Sequence, residues 1–196
     1  MKYTFDNSSW KNDFSYVYSL VAGSFREFSE ASDHIHNGYN EEIGGYDYIS
    51  IVHCEKGATG DVISTKCSFD SYGAPLLTFA NEVWTDGEGH LRYGDHYEIV
   101  AYENGCNVWR VTRAPEGSTR PFVAENCLRL RFPMPENTPF TLRVELLAKR
   151  FRVELAEASF DLPAPFLGEE VYIGLTACEG VNRFYEMEIQ HNRTKE

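Results

Sequence analysis

DHYEIVAYENGCNVWRVTR, residues 95–113, reads as a β-hairpin with its register written in. Asn104–Gly105 is the dipeptide that a two-residue type I′ turn favours, because both central residues of that turn need φ > 0. With that tip, Glu103 faces Cys106, Tyr102 faces Asn107, Val100 faces Trp109, Glu98 faces Val111 and His96 faces Arg113. Side chains alternate along a strand, so His96, Glu98, Val100 and Tyr102 share a face with Asn107, Trp109, Val111 and Arg113. Tyr97, Ile99, Ala101, Val108, Arg110 and Thr112 take the other, mostly core-like face. One face thus gathers an imidazole, a carboxylate, a carboxamide, a guanidinium, an indole and a phenol, which is equipment for holding a polar, ring-shaped ligand such as a sugar.

Outward from the hairpin, strand signals dominate. Runs rich in β-branched and aromatic residues occupy 46–54, 61–69, 76–80, 127–132, 140–147, 151–156, 171–177 and 183–190. Gly, Pro, Asn and Asp clusters break them at fairly even intervals, the pattern of an antiparallel sandwich. Only GSFREFSEAS, 23–32, predicts a short helix, and the Pro-rich patches at 132–139 and 162–166 punctuate strands. We therefore expect an all-β fold: an antiparallel β-sandwich forming a single domain over 1–196. A chain of 196 residues is long enough to bury its own core.

The formal net charge of −12 sets the expected partners. It opposes a phosphate backbone or an anionic membrane, so neither nucleic acid nor membrane is expected. It would equally oppose a polyanionic substrate unless a local basic patch overrides it. No apolar run is long enough to span a bilayer, and the N-terminus lacks an apolar signal region, which predicts a cytoplasmic protein. The five cysteines, Cys54, Cys67, Cys106, Cys127 and Cys178, form no CxxC pair and read as reduced, mostly buried thiols. Walker A, G-x-G-x-x-G, G-x-S-x-G and H-E-x-x-H patterns are absent, so the common nucleotide, hydrolase and zincin readings fall away.

The second half carries a more specific order. TPFTLRVELLAKRFRVEL at 138–155, VYIGL at 171–175 and RFYEMEI at 183–189 follow one another with a tight turn at 148–150 and a Pro-rich loop between. In this order the chain resembles the concanavalin A-like (laminin-G-like) jelly rolls. The resemblance implies a jelly-roll sandwich, a fold that serves lectins, carbohydrate-binding modules, glycoside hydrolases and polysaccharide lyases alike. The hairpin face also resembles the ligand face of galectin-type lectins, where His, Asn, Arg, Glu and Trp hold a galactoside, although the galectin spacing is absent.

Candidate residues follow from these readings. His96, Glu98, Asn107 and Arg113 would bond sugar hydroxyls, and Trp109 or Tyr102 would stack on a sugar ring. In DHIHNGYN, 33–40, His34 and His36 would contribute from a cleft rim; the alternatives are a two-histidine transition-metal site or a plain solvated loop. WTDGEGHLRY, 84–93, reads as a turn that could place His90, Arg92 and Tyr93 near the hairpin face. It lacks the ligand alternation of an EF-hand, so no cofactor is expected, and a structural calcium stays open without a specific motif to indicate it. In CEGVNR, 178–183, Gly180 permits a positive φ and Glu179 could pair with Arg183. The expected activity is carbohydrate binding without catalysis. An enzyme would draw on His96, Glu98 or Tyr102, a lyase using His96 or Tyr102 as base with Asn107 and Arg113 neutralising a uronate. A further alternative is a subunit docking on an enzyme partner.

Overall fold

The structure, a computed structural model, describes residues 1–18 and 25–192. Its strands run β1 (Lys2–Thr4), β2 (Phe14–Val17), β3 (Ser29–Glu30), β4 (Ile35–His36), β5 (Tyr39–Asn40), β6 (Gly45–Tyr46) and β7 (Ile49–Ala58). They continue with β8 (Val62–Asp70), β9 (Ala74–Ala80), β10 (Val83–Thr85), β11 (Leu91–Tyr93), β12 (His96–Tyr102) and β13 (Gly105–Arg113). The chain closes with β14 (Phe122–Arg131), β15 (Phe140–Leu147), β16 (Arg150–Leu155), β17 (Ala158–Pro163), β18 (Glu170–Cys178) and β19 (Val181–Gln190). A 3₁₀ turn at Ser8–Asn12, capped by the Asn7 side chain, is the one helical element among the described residues. The predicted helix at 23–32 is therefore corrected: residues 25–32 hold the strand Ser29–Glu30 and no helix, and 23–24 lie outside the described residues.

Two antiparallel sheets stack. One runs β14-β13-β12-β9-β18-β7-β2, the other β17-β16-β15-β8-β19-β4-β3 with β1 also on β19. Between them lies a core in which Phe69, Phe79, Phe151, Phe184, Ile51, Ile63 and Ile99 are fully buried. Alternation in β12 and β13 delivers Tyr97, Ile99, Ala101, Cys106 and Val108 to it, as the hairpin's core-like face requires. The larger of these, such as Ile99 and Val108, each contribute roughly 1.5–3 kcal/mol by leaving water. Strand β17, which the sequence did not signal, adds on at the sheet edge, where Pro163 costs no internal ladder bond.

The hairpin register differs from expectation by two residues. His96 pairs with Val111, Glu98 with Trp109, Val100 with Asn107 and Tyr102 with Gly105, so Glu103 and Asn104 form the tip. The backbone N–H groups of Met134 and Phe132 donate to the tip carbonyls of Glu103 and Asn104 at 2.8 and 3.2 Å. Gly105 takes the positive φ of 127°, and a Cβ there would lie 2.2 Å from Leu130 O. The glycine is thus needed for the approach of β14, and the turn residues are the pair before it. A slip of two preserves every face assignment, where a slip of one would invert them all. The bulge near Trp109 skips a residue of β14, Cys127, and leaves the β12–β13 pairing regular.

At one end, two hairpin tips interlock. Ser71 and Tyr72 both sit in the left-handed region, φ 52° and 67°, closed by a Gly73 N–H bond to Asp70 O at 2.8 Å. A Cβ on Gly180 would lie 2.2 Å from Gly73 N and from Ser71 O, so the β18–β19 turn seats against this one. The expected Glu179–Arg183 pair does not form: Arg183 binds Asp70 at 2.6 Å, and the loop is held by Asn182, whose side chain donates to Cys178 O and Glu179 O. Tyr72 is 73 % exposed, so little packing compensates its backbone conformation. Tyr72→Gly should therefore stabilise the fold by roughly 0.5–1 kcal/mol, the left-handed penalty less the extra glycine entropy. A higher urea midpoint at unchanged slope checks this; an unchanged or lower midpoint refutes it.

Candidate functional site

Because one face of the β14-to-β2 sheet is core, its other face is free to carry a site, and there it floors a cleft of about 1210 Å³. Cross-strand pairing sets out that floor in rows. One row is Ser50, Thr176, Leu76, Val100 and Asn107; the next is Gly174, Thr78, Glu98 and Trp109; a third holds His96 and Val111. His96, Glu98, Tyr102, Asn107, Trp109 and Arg113 all line the cleft. Along β12, His96 and Tyr102 are six residues apart, about 20 Å at the strand rise, and Asn107 and Arg113 are as far apart on β13.

His34 and His36 are not at this site, which corrects the rim expectation. Residues 35–36 pair with Phe184 and Arg183 of β19 in the opposite sheet, and the two imidazoles sit 5.3 Å apart, His34 also 5.3 Å from Tyr185. The two-residue strand β4 is too short to leave a periodic signal, so its docking was invisible in the sequence. Asn37, read with them, is buried and structural: its side chain donates to Asp47 O and Gly180 O and accepts from Asn182 N.

The cleft walls come instead from Ile43, Tyr46 and Tyr48, from Tyr72, and from Trp84, Arg92 and Tyr93 of the β10–β11 hairpin. Tyr93 lies over Gly174, where a Cβ would fall only 1.9 Å from the phenol oxygen. That hydroxyl donates to Ile51 O at 3.1 Å, above the buried Ser50–Thr176 hydroxyl pair at 2.7 Å. The Tyr93 ring then packs 5.3 Å from His96. His96 Nδ1 donates to Gly94 O at 2.7 Å, and Nε2 faces Glu98 Oε1 at 3.3 Å. A carbonyl accepts only, so Nδ1 is the donor to Gly94 O, which turns Nε2 towards the Glu98 carboxyl. Tyr48 donates to the same Glu98 oxygen at 3.3 Å, and burial first, then the Glu98 charge, raises its pKa well above the usual tyrosine range. Tyr48 is accordingly a fixed donor.

Two buried polar atoms of cleft-lining residues, Asn107 Oδ1 and Trp84 Nε1, have no hydrogen-bond partner among the described residues. Arg113 lies over the Trp84 ring at 4.7 Å and within 3.8 Å of Glu82. Cys178 also lines the cleft; burial raises its pKa, so it is a thiol and no nucleophile. All five cysteines are unpaired, but only Cys67 and Cys106 are buried, while Cys54 and Cys127 are exposed, which corrects the mostly buried expectation. In the β10–β11 turn, Asp86 accepts the N–H groups of Glu88 and His90, both at 2.9 Å, and Arg92 Nε at 2.9 Å. Ligand atoms of Asp86, Glu88 and His90 lie within 4.8 Å of one another, yet both Asp86 oxygens already accept N–H bonds.

Neither a protein-family model nor a curated protein matches the chain. Solved structures do. The carbohydrate-binding module CBM66 from Bacillus subtilis is 15 % identical, with 91 % of this chain and 95 % of that one covered and a TM-score of 0.62. β-Agarase A from Zobellia galactanivorans is 7 % identical, with 97 % and 90 % covered and a TM-score of 0.69. A Bacillus licheniformis β-glucanase is 8 % identical, with 98 % of each chain covered and a TM-score of 0.63. These likenesses define the fold as the concanavalin A-like jelly roll, the architecture that the strand order of residues 138–189 resembles.

Two outcomes follow for the walls. Gly174→Ala should cost about 1–3 kcal/mol by forcing Tyr93 out, and Tyr93→Phe should recover part of that loss; strictly additive urea-unfolding energies would refute the contact. The backbone N–H of His90 first, then Arg92 and Glu88 N–H, lowers the Asp86 pKa from 3.8 to about 2. A depressed carboxyl stabilises above its unfolded value and loses that contribution as pH falls, so the turn should loosen between pH 3.8 and about 2. Carboxyl carbon NMR should report a midpoint near 2; a midpoint at the ordinary aspartate value would refute it.

Proposed function

We propose that the cleft binds an extended carbohydrate chain, and that the protein is a binder without catalysis. The carrying observation is the spread of its polar groups along the strands: His96 in one row, Glu98 opposite Trp109 in the next, Asn107 in the row after that, and Tyr102 six residues from His96 along β12. Groups strung over about 20 Å suit several sugar rings in sequence. The Asn107 carboxamide and the Trp84 indole line the cleft, and the partnerless Asn107 Oδ1 and Trp84 Nε1, buried beneath its surface, become an acceptor and a donor for hydroxyls once those side chains turn outward. Fold neighbours named for carbohydrate binding, agarose and β-glucan support the ligand class.

The same spacing weighs against the lyase arrangement. A base at His96 cannot share one reacting carbon with a carboxylate clamp made of Asn107 and Arg113 together, since those two lie at opposite ends of β13. The reading that a hydrolase uses Glu98 draws on a specific contact, its bonds to His96 and Tyr48. A binder and a hydrolase separate cleanly in one experiment. Calorimetric titration with a neutral oligosaccharide series should give affinity rising with chain length, and no new reducing ends should form. Trp109→Ala should weaken binding several-fold, on the order of the 1–2 kcal/mol of an aromatic–sugar stack. Reducing-end release abolished by Glu98→Gln would establish the hydrolase instead. Absence of binding across a broad panel, with Trp109 inaccessible to quenchers, would overturn both.

A further inference from the structure

The cleft does not end at Asn107. A second, contiguous hollow of about 690 Å³ is lined by Tyr102, Asn104, Asn107, Arg129, Arg131, Phe132 and Pro133, sharing Tyr102 and Asn107 with the first. Its two arginines come from the edge strand β14. Arg129 pairs with Asn107 and Arg131 with Gly105, so both stand on the cleft-bearing face, two residues apart, beyond the bulge.

What sets these arginines apart is their lack of a carboxylate. Every other strand arginine among the described residues is ion-paired: Arg92 with Asp86, Arg110 with Glu125, Arg113 with Glu82, Arg143 with Glu154, Arg150 and Arg152 with Asp161, and Arg183 with Asp70. Arg129 and Arg131 join no ion pair among the described residues, in a chain with 30 acidic and only 18 basic residues. Glu103 at the hairpin tip accepts a bond from Asn104 Nδ2 at 2.7 Å and pairs with neither. Two adjacent guanidinium groups held near each other repel, and a shared anion relieves that repulsion while using the planar donor fork.

We propose that Arg129 and Arg131 form an anion subsite at the β13–β14 end of the cleft, and that the preferred ligand is an acidic oligosaccharide. This inference rests on the carbohydrate reading of the cleft and specifies its ligand. The anionic group, a uronate carboxylate or a sulfate ester, sits between the two guanidinium groups. The neighbouring ring's hydroxyl donates to the Asn107 carboxamide oxygen once that side chain turns outward. Such a pair also supplies the local positive potential that overrides the repulsion of a polyanion by the net charge of −12.

The test compares tetragalacturonate, a sulfated galactan tetrasaccharide and neutral cellotetraose and agarotetraose by calorimetric titration. The wild-type protein should bind at least one acidic probe about tenfold or more tightly than the neutral ones, with an affinity that falls as NaCl is raised. The stronger acidic arm identifies carboxylate or sulfate as the anion. In Arg129→Gln/Arg131→Gln the acidic-to-neutral ratio should collapse towards one and the salt dependence should vanish. Both positions are exposed on an edge strand, and an unchanged far-ultraviolet circular dichroism spectrum controls for folding. Equal wild-type binding of acidic and neutral probes, or a ratio that survives the double substitution, overturns the subsite and leaves carbohydrate binding standing. No binding of any probe overturns both.

Discussion

The cleft depends on one constraint: the side chains of β12 and β13 must alternate between two environments. Tyr97, Ile99, Ala101, Cys106 and Val108 are locked into the inter-sheet core, against partners such as Phe151, which lies 5.5 Å from the Tyr97 ring. Burial of that face leaves His96, Glu98, Asn107 and Trp109 no orientation except outward. Their alignment costs little of its own, because the core fixes the backbone that presents them. A site built on such strands is more rigid than one assembled on loops.

A second layer of order comes from hydroxyl groups beneath the walls. Ser50, Thr78 and Thr176 are all buried, and they bond to one another across three strands at 2.7 and 3.3 Å. Their polarity is satisfied internally, with Ser50 also 3.4 Å from the Tyr93 hydroxyl. The consequence is a floor divided across its strands: hydroxyls of Ser50, Thr176 and Thr78 on one side, and the apolar Ala74, Leu76 and Val100 beside them. A ligand in the cleft meets both surfaces. Beyond Tyr93, the β10–β11 hairpin is tethered from outside: Tyr18 stacks on His90 at 3.8 Å and on Phe25 at 4.1 Å, and Arg92 donates to Tyr18 O.

Most of the sheet architecture was legible in the sequence, because strand alternation is a local signal. The hairpin faces were legible for the same reason, and they survived a wrong turn assignment since the slip was even-numbered. What escaped was set by approach between distant segments. Asn104–Gly105 looked like a turn, but the glycine answers to Leu130, twenty-five residues on (130 − 105). Gly174 reads as an ordinary strand glycine until Tyr93 is seen to fill its missing side chain. The walls at 43–48 and at Tyr72 left no motif, and His34 and His36 looked functional only while their pairing with β19 was unknown. Arg129 was hidden by the bulge at Cys127, which decides the side of β14 from which it emerges.

That bulge has a consequence for the molecule in a crowded solution. β14 is the last strand of its sheet, with one row of backbone groups facing no partner. A flat strand of this length, ten residues, is a template on which a second copy could continue the sheet and begin a fibre. The skipped residue breaks the spacing of those groups midway, so an incoming strand finds two short ladders out of step. Arg129 and Arg131 add like charge to any self-pairing of that edge. The irregularity that shapes one end of the cleft therefore also works against extension of the sheet by a second copy.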